Sequence, residues 1–160
     1  MGDLGEFSFS DRMRLKAHRW HRIDPVPWTP LQRPLAECRL GLVSSAGFVL
    51  PEQKRFAESR FGRDPGFHEI PAEVDVSTLV DTHHSKAFDH TGMRRDPNLS
   101  FPIDRVRELA SAGRIASVAP RHLSFMGGIS APRRFMRNSV PEMARVFVDD
   151  GVDVALLVPV

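Results

Sequence analysis

Apolar positions in this chain fall into short runs separated by polar, proline- and glycine-rich stretches, and the runs grow more regular toward the C-terminal half. Leu40-Gly41-Leu42-Val43 closes on Ser44-Ser45-Ala46-Gly47. That is the pattern of a buried strand followed by a small-residue turn. Residues 51–68 are charged and carry Gly and Pro, which predicts a loop, and the β-branched Ser77-Thr78-Leu79-Val80-Asp81 predicts a second strand. Ser100 and Pro102 precede Ile103, Val106, Leu109 and Ala110 at near-helical spacing, and Gly113 follows. A hydroxyl cap, an early proline and a glycine stop predict a helix there.

Residues 114–119 then read as a strand, and 120–138 as a long connection. Ser139 and Glu142 have capping-box spacing, in which a hydroxyl and a carboxylate each satisfy an amide at the start of a helix. Val140, Met143, Ala144 and Phe147 lie on one face of that helix, and Gly151 ends it. Val152 to Val160 is apolar apart from Asp153, the pattern of a strand buried on both faces.

Two successive helix–glycine–strand units predict an α/β fold: a mostly parallel sheet with helices on both faces, a Rossmann-like three-layer arrangement. Residues 1–25 form an irregular basic arm and residues 26–160 the α/β domain. Arg12, Arg14, Lys16, Arg19 and Arg22, with His18 and His21 between them, read as a solvated amphipathic helix rather than an anion contact. Pro25, Pro27, Pro30 and Pro34 impose an extended path after it. Ligands of open parallel sheets bind beyond the carboxyl ends of the strands. Four segments are expected at that edge: Ser44 to Gly47, the histidine-rich stretch from His83, the loop from Arg121, and whatever follows Val160.

Composition narrows the chemistry. The chain has 160 residues, which suits one domain. Its one cysteine, Cys38, excludes an internal disulfide framework and reads as a small buried residue at a strand start. Net charge is only +2, a weak basis for nucleic-acid binding. No apolar run approaches the ~18 residues of a membrane span, and the first residues lack the apolar stretch of a signal peptide. The expectation is a soluble, cytoplasmic protein.

The segment THHSKAFDH is similar to the HxHxDH motif of metallo-β-lactamases, but its spacing differs. His83 and His84 are adjacent, so on an extended chain they point to opposite faces. A metal-dependent hydrolase using His83, His84, Asp89 and His90 is an alternative reading, and no metal ligand is assigned. Asp96-Pro97-Asn98 is turn chemistry at the entry to the Ser100 helix, placed where a site edge is expected. In the 120–138 connection, His122 is a candidate acid or base, and Gly127-Gly128 would let the backbone approach a ligand. A lone Gly-Gly is a weak phosphate signal.

Taken together, WTPL, CRLGLVSSAGF, DPNLSFPIDRVRELASAGRIASVAPRHLSFMGG and PEMARVFVDDGVDVALLVPV resemble the selenoprotein B family of glycine, sarcosine, betaine and D-proline reductases. The resemblance covers about residues 26–160. It implies a component of a reductase that cleaves a C–N bond of such an amino acid with electrons from a dithiol. It implies, as partners, a pyruvoyl-bearing subunit or a thioredoxin-like electron donor. In that family a selenocysteine or cysteine, two residues and a cysteine follow the strand matching Val152 to Val160. No position here matches that pair, and Cys38 is not its counterpart. The expectation is a reading frame that stops at a selenocysteine codon just beyond Val160. A non-catalytic binding subunit lacking the redox motif is the alternative. The residues at the strand ends are then supporting ones: His122, His83 and Asp96 to move protons or orient substrate, and Ser44, Ser45, Asn98, Gly127 and Gly128 to contact it.

Overall fold

A computed structural model describes residues 8–17, 23–57, 64–84, 90–129 and 132–160. These separate into two units, Met1–Pro30 and Leu31–Val160. In the first, α1 (Phe9–Ala17) is a short helix that begins ahead of the basic stretch; Arg19, Arg22, His18 and His21 lie outside the described residues. Residues 23–30 contain no helix or strand, as the prolines require.

The second unit is built on β1 (Arg39–Ser44), buried from Leu40 onward. β7 (Val154–Val158) pairs with it in parallel along one side, Leu40 opposite Val154 and Ser44 opposite Val158. Two shorter strands share the other side. β5 (Ser117–Val118) pairs with Arg39 and Leu40, and β6 (Arg121–Phe125) with Val43 and Ser44, both in parallel. β3 (Phe67–Pro71) runs antiparallel to β6 and completes a five-stranded sheet. β2 (Phe48–Val49) and β4 (Val80–Asp81) make a separate antiparallel ribbon.

Side chains alternate across the sheet, so β1 builds two cores. Leu40 and Leu42 face α3 (Ile103–Ser111), packing with Val106 and Ile115 and with Ile70, Phe101 and Ile103. Val43 faces α4 (Pro132–Asp149) with Leu123 and Met143. Gly41 is required on that face, because a Cβ there would lie 2.8 Å from the Phe147 ring. Helices on both faces of a mostly parallel sheet are the expected architecture, with β3 as an antiparallel edge.

Several local expectations are corrected. The 51–68 loop ends in β3, and the 114–119 strand shrinks to two residues. Ser77 to Asp81 divides into a 3-10 turn, Val76–Thr78, and the two-residue β4. The 120–138 connection is not a long loop: it holds β6 and the first two turns of α4. His122 and Ser124 disguise β6 because they are polar yet buried. α4 starts at Pro132, where the missing N–H costs nothing. The apparent capping box therefore lies inside the helix, with Pro141 beside it, and the Ser139 hydroxyl donates to the Pro65 carbonyl. Ser100 does not cap α3. It closes the preceding 3-10 turn, Pro97–Leu99, and Pro102 holds the cap position without a side-chain bond. Lastly, β7 is not buried on both faces: Ala155, Leu156 and Leu157 are exposed.

Candidate functional site at the carboxyl edge of the sheet

Ser44 and Ser45 end β1 and organise everything around them. The buried Ser44 hydroxyl donates to the Ser100 carbonyl at 2.6 Å and accepts from the Ala46 amide at 3.1 Å. That bond holds the 97–100 turn against the strand end. Ser45 clasps the end of β7: its amide donates to the Val158 carbonyl at 3.1 Å, and its Oγ accepts from the Val160 amide at 2.8 Å. On the opposite side its carbonyl accepts from the Gly127 amide at 2.9 Å. A Cβ on Gly127 would lie 2.8 Å from that same carbonyl, so only glycine brings the end of β6 so close. Gly128, exposed, follows at φ +65°.

Gly47, at φ +67°, turns the chain away from β1. Its amide donates to Phe125 and its carbonyl accepts from both the amide and the hydroxyl of Thr82. The His83 backbone comes within 3.5 Å of where a Gly47 Cβ would stand. Three of the four expected segments thus meet at this edge, joined by hydrogen bonds, with Val160 beside them.

Around His83 lies a polar cluster with Asp81 at its centre. One Asp81 oxygen accepts from the His83 amide at 2.9 Å. The other is 2.6 Å from Nδ1 of His90, the first residue of α2 (His90–Arg95), and 3.5 Å from Nε of Arg94. The His83 and His90 rings stand 5.9 Å apart. An aspartate on one imidazole nitrogen fixes the ring's orientation, the geometry of an acid–base pair. Asp81 was invisible in the sequence, where it closed an apparent strand. His84 takes another partner, the Phe56 carbonyl at 3.0 Å from Nε2, and Asp89 lies outside the described residues. Among the described residues no three of His, Cys, Asp and Glu converge to hold a metal ion.

His122 sits on β6 rather than in a loop, and its ring is fully buried. The two strands flanking β1 break at Ala119-Pro120, and Leu42 lies at the break. Nδ1 of His122 accepts the Leu42 amide at 3.0 Å and so stands in for a missing backbone carbonyl. An acceptor Nδ1 puts the neutral ring's proton on Nε2, which finds no hydrogen-bond partner among the described residues. Burial first, then the charge of Arg107, push this histidine down to about 4. The ring is neutral at physiological pH and packs edge-on to Phe101.

Asp96 and Asn98 serve helix entry. The Asp96 carboxylate accepts from the Asn98 amide at 3.0 Å. Asn98 accepts from the Asp104 amide and donates to the Asp104 carboxylate, which caps α3. Cys38 is buried at the opposite end of β1, its thiol directed at the Pro34 carbonyl.

A mostly parallel α/β sheet with a glycine-framed carboxyl edge is the layout of many ligand-handling enzymes. Residues 13–159 match the glycine/sarcosine/betaine reductase selenoprotein B family, and the chain belongs to that family. It is 35% identical over 136 residues to the D-proline reductase subunit gamma of Acetoanaerobium sticklandii, covering 84% of this chain and 54% of the relative. It is 25% identical over 135 residues to the sarcosine reductase complex component B subunit beta of Peptoclostridium acidaminophilum, covering 84% of this chain and 30% of that one. The chain therefore spans about half the length of the first relative and under a third of the second. No solved structure matches it. No helix among the described residues is long and apolar enough to cross a membrane.

Proposed function

We propose that this chain is a component of a selenol- or thiol-dependent reductase that cleaves a C–N bond α to a carboxylate, with D-proline the first substrate to test. Both relatives are subunits of amino-acid reductases, which supports a reductase component working with other subunits. The observation that carries the reading to a site is the Ser45 clasp on the end of β7. It holds rigid the point after which the family carries its selenocysteine or cysteine.

The overall reaction balances simply. The C–N bond breaks, carbon and nitrogen each gain a hydrogen, and two thiols become a disulfide. A reactive selenol or thiol needs a desolvated, positively biased setting. In this reading the Asp81–His90 pair, with Arg94 and His83 beside it, manages protons and the substrate carboxylate. The exposed Gly128 gives the substrate room along the backbone, while Gly127, packed on Ser45, and Ser44 hold the frame. His122 is a positioning residue, acting through the Leu42 amide.

The test is reconstitution of the full-length product of the gene with a pyruvoyl-bearing partner subunit and a dithiol, offering D-proline, glycine, sarcosine and betaine in turn. Dithiol-dependent consumption of one of them is expected. If none is consumed while the Acetoanaerobium subunit gamma turns over in the same assay, the proposal fails. Reading the genomic DNA past codon 160 is an independent check. A selenocysteine or cysteine codon, then two residues and a cysteine, is expected; any other continuation sinks the assignment of the nucleophile.

A further inference from the structure

His122 and Ser124 lie two residues apart on β6, so both leave the sheet on its α3 side, and both are fully buried. The core on that side is apolar. Leu42, Phe48, Ile70 and Phe101 build it, and the Phe101 ring stands 6.4 Å from that of His122. Apolar side chains would suit these two positions, as Leu123 suits the opposite face.

Nε2 of His122 and Oγ of Ser124 have no hydrogen-bond partner among the described residues. Nε2 is a donor, because Nδ1 accepts from the Leu42 amide. The Ser124 hydroxyl donates once and accepts up to twice. A buried polar group left unsatisfied lowers stability, and native folds seldom keep one without a reason. Here two stand on one face of one short strand.

A third polar group adjoins them. Ser44 of β1 is the register partner of Ser124, so the two side chains leave the same face of strands about 4.8 Å apart. Ser44 Oγ donates to the Ser100 carbonyl and accepts from the Ala46 amide, which leaves it one lone pair. The other flank supplies no partner. Ile70 stands opposite His122 on β3, and His68, opposite Ser124, packs its ring on Phe56 at 4.8 Å.

One N–H donor, one hydroxyl and one spare lone pair define the ligand. A metal ion would meet the Nε2 proton. An anion would meet the Ser44 lone pair and would carry an uncompensated charge into an apolar core. Water fits all three. It accepts from the His122 and Ser124 donors and donates to Ser44 Oγ, about three bonds, the usual number for a buried water.

We propose that one internal water bridges His122 Nε2, Ser124 Oγ and Ser44 Oγ beneath the carboxyl edge of the sheet. It ties the ladder gap at Leu42 to the Ser44–Ser100 bond. The proposal rests on burial and hydrogen-bond chemistry, and it is independent of the reductase reading.

NMR on the full-length product of the gene tests it. At neutral pH the His122 Nε2 proton is expected to be present and to show cross-relaxation with a water that stays bound longer than the protein takes to tumble. Oxygen-17 relaxation dispersion is expected to count one long-lived water fewer in Ser124→Ala than in the native protein. Stability gives a second reading through its sign. Removing an orphan hydroxyl would raise stability, whereas removing one that holds a water is expected to lower the folding equilibrium constant about fivefold. Absence of the water contact at Nε2 in the native protein overturns the proposal, and that measurement needs no variant to fold. An unchanged water count in folded Ser124→Ala overturns it too, as does a gain in stability.

Discussion

The Leu42 amide donates to Nδ1 of His122 at 3.0 Å, closing a gap in the sheet that no backbone carbonyl reaches. This bond exists only while the imidazole is unprotonated at Nδ1. Charging the buried ring replaces an acceptor with a second donor facing a donor. The histidine is accordingly pushed from 6.5 down to about 4 by burial and Arg107.

Stability is therefore expected to depend on pH in a defined direction. Between about 4 and 6.5 the unfolded chain binds a proton at His122 and the native chain does not. Unfolding free energy rises with pH through that window, levels off above it, and is lost as pH falls through it. The size is on the order of 3 kcal/mol. His68, also lowered by burial, adds in the same direction. Urea titrations across the window measure the slope. In His122→Phe the His122 share of the slope should vanish, while the Leu42 amide left unsatisfied costs about 1–3 kcal/mol. An unchanged slope would mean that another group is responsible.

Ser45→Ala removes the acceptor for the Val160 amide and keeps the backbone pairing to Val158. Global stability should fall by about 1 kcal/mol. Exchange at the Val160 amide should speed up far more than at core amides of β1. Turnover of the assembled reductase should fall at least tenfold, because the strand end would no longer be held. Loss of exchange protection without loss of turnover would separate the clasp from catalysis.

Two glycine substitutions should differ in kind. Gly113 stands at φ +65° with nothing within 4 Å of where a Cβ would stand, so Gly113→Ala carries only the backbone strain, about 1 kcal/mol. Gly127→Ala drives a methyl to 2.8 Å from the Ser45 carbonyl. It should cost about 1–3 kcal/mol and displace the carboxyl edge. Comparing thermal unfolding with turnover separates the two: both should fall in Gly127→Ala, and only unfolding should shift in Gly113→Ala.

Asp81→Asn breaks the carboxylate contacts to His90 and Arg94 while keeping the side chain's size. Turnover in the assembled reductase should fall at least tenfold with the fold retained. His90→Gln should fall by a similar factor, and the double variant by little more than either, since the two residues act as a pair. Multiplicative losses in the double variant would show that they act separately.

Much of the architecture was legible along the chain because periodicity and punctuation are local. The β1 run, the Ile103–Val106 face, the stop at Gly113 and the apolar β7 segment all announce themselves within a few residues. The convergence of Ser44 to Gly47 with the His83 stretch followed from strand direction alone. What escaped was long-range. β6 read as loop because His122 and Ser124 are polar. Asp81 read as a strand end because His90 is nine positions away. The Ser139–Glu142 spacing imitated a cap because nothing nearby reveals that α4 already began at Pro132.

The sequence by itself determined the class of fold, the family, and which segments reach the carboxyl edge. Those depend on hydrophobic period, turn residues and motif order, all local properties. Only the tertiary structure decided the work of individual polar groups. It turned His122 from a loop acid into a buried ladder partner and Asn98 into a helix cap. It made Asp81 the anchor of a histidine pair and left Ala155, Leu156 and Leu157 of β7 exposed. The reason is that a polar side chain's partner is chosen by proximity across the fold, and burial, hydrogen bonding and protonation follow from that partner rather than from the residues beside it in the chain.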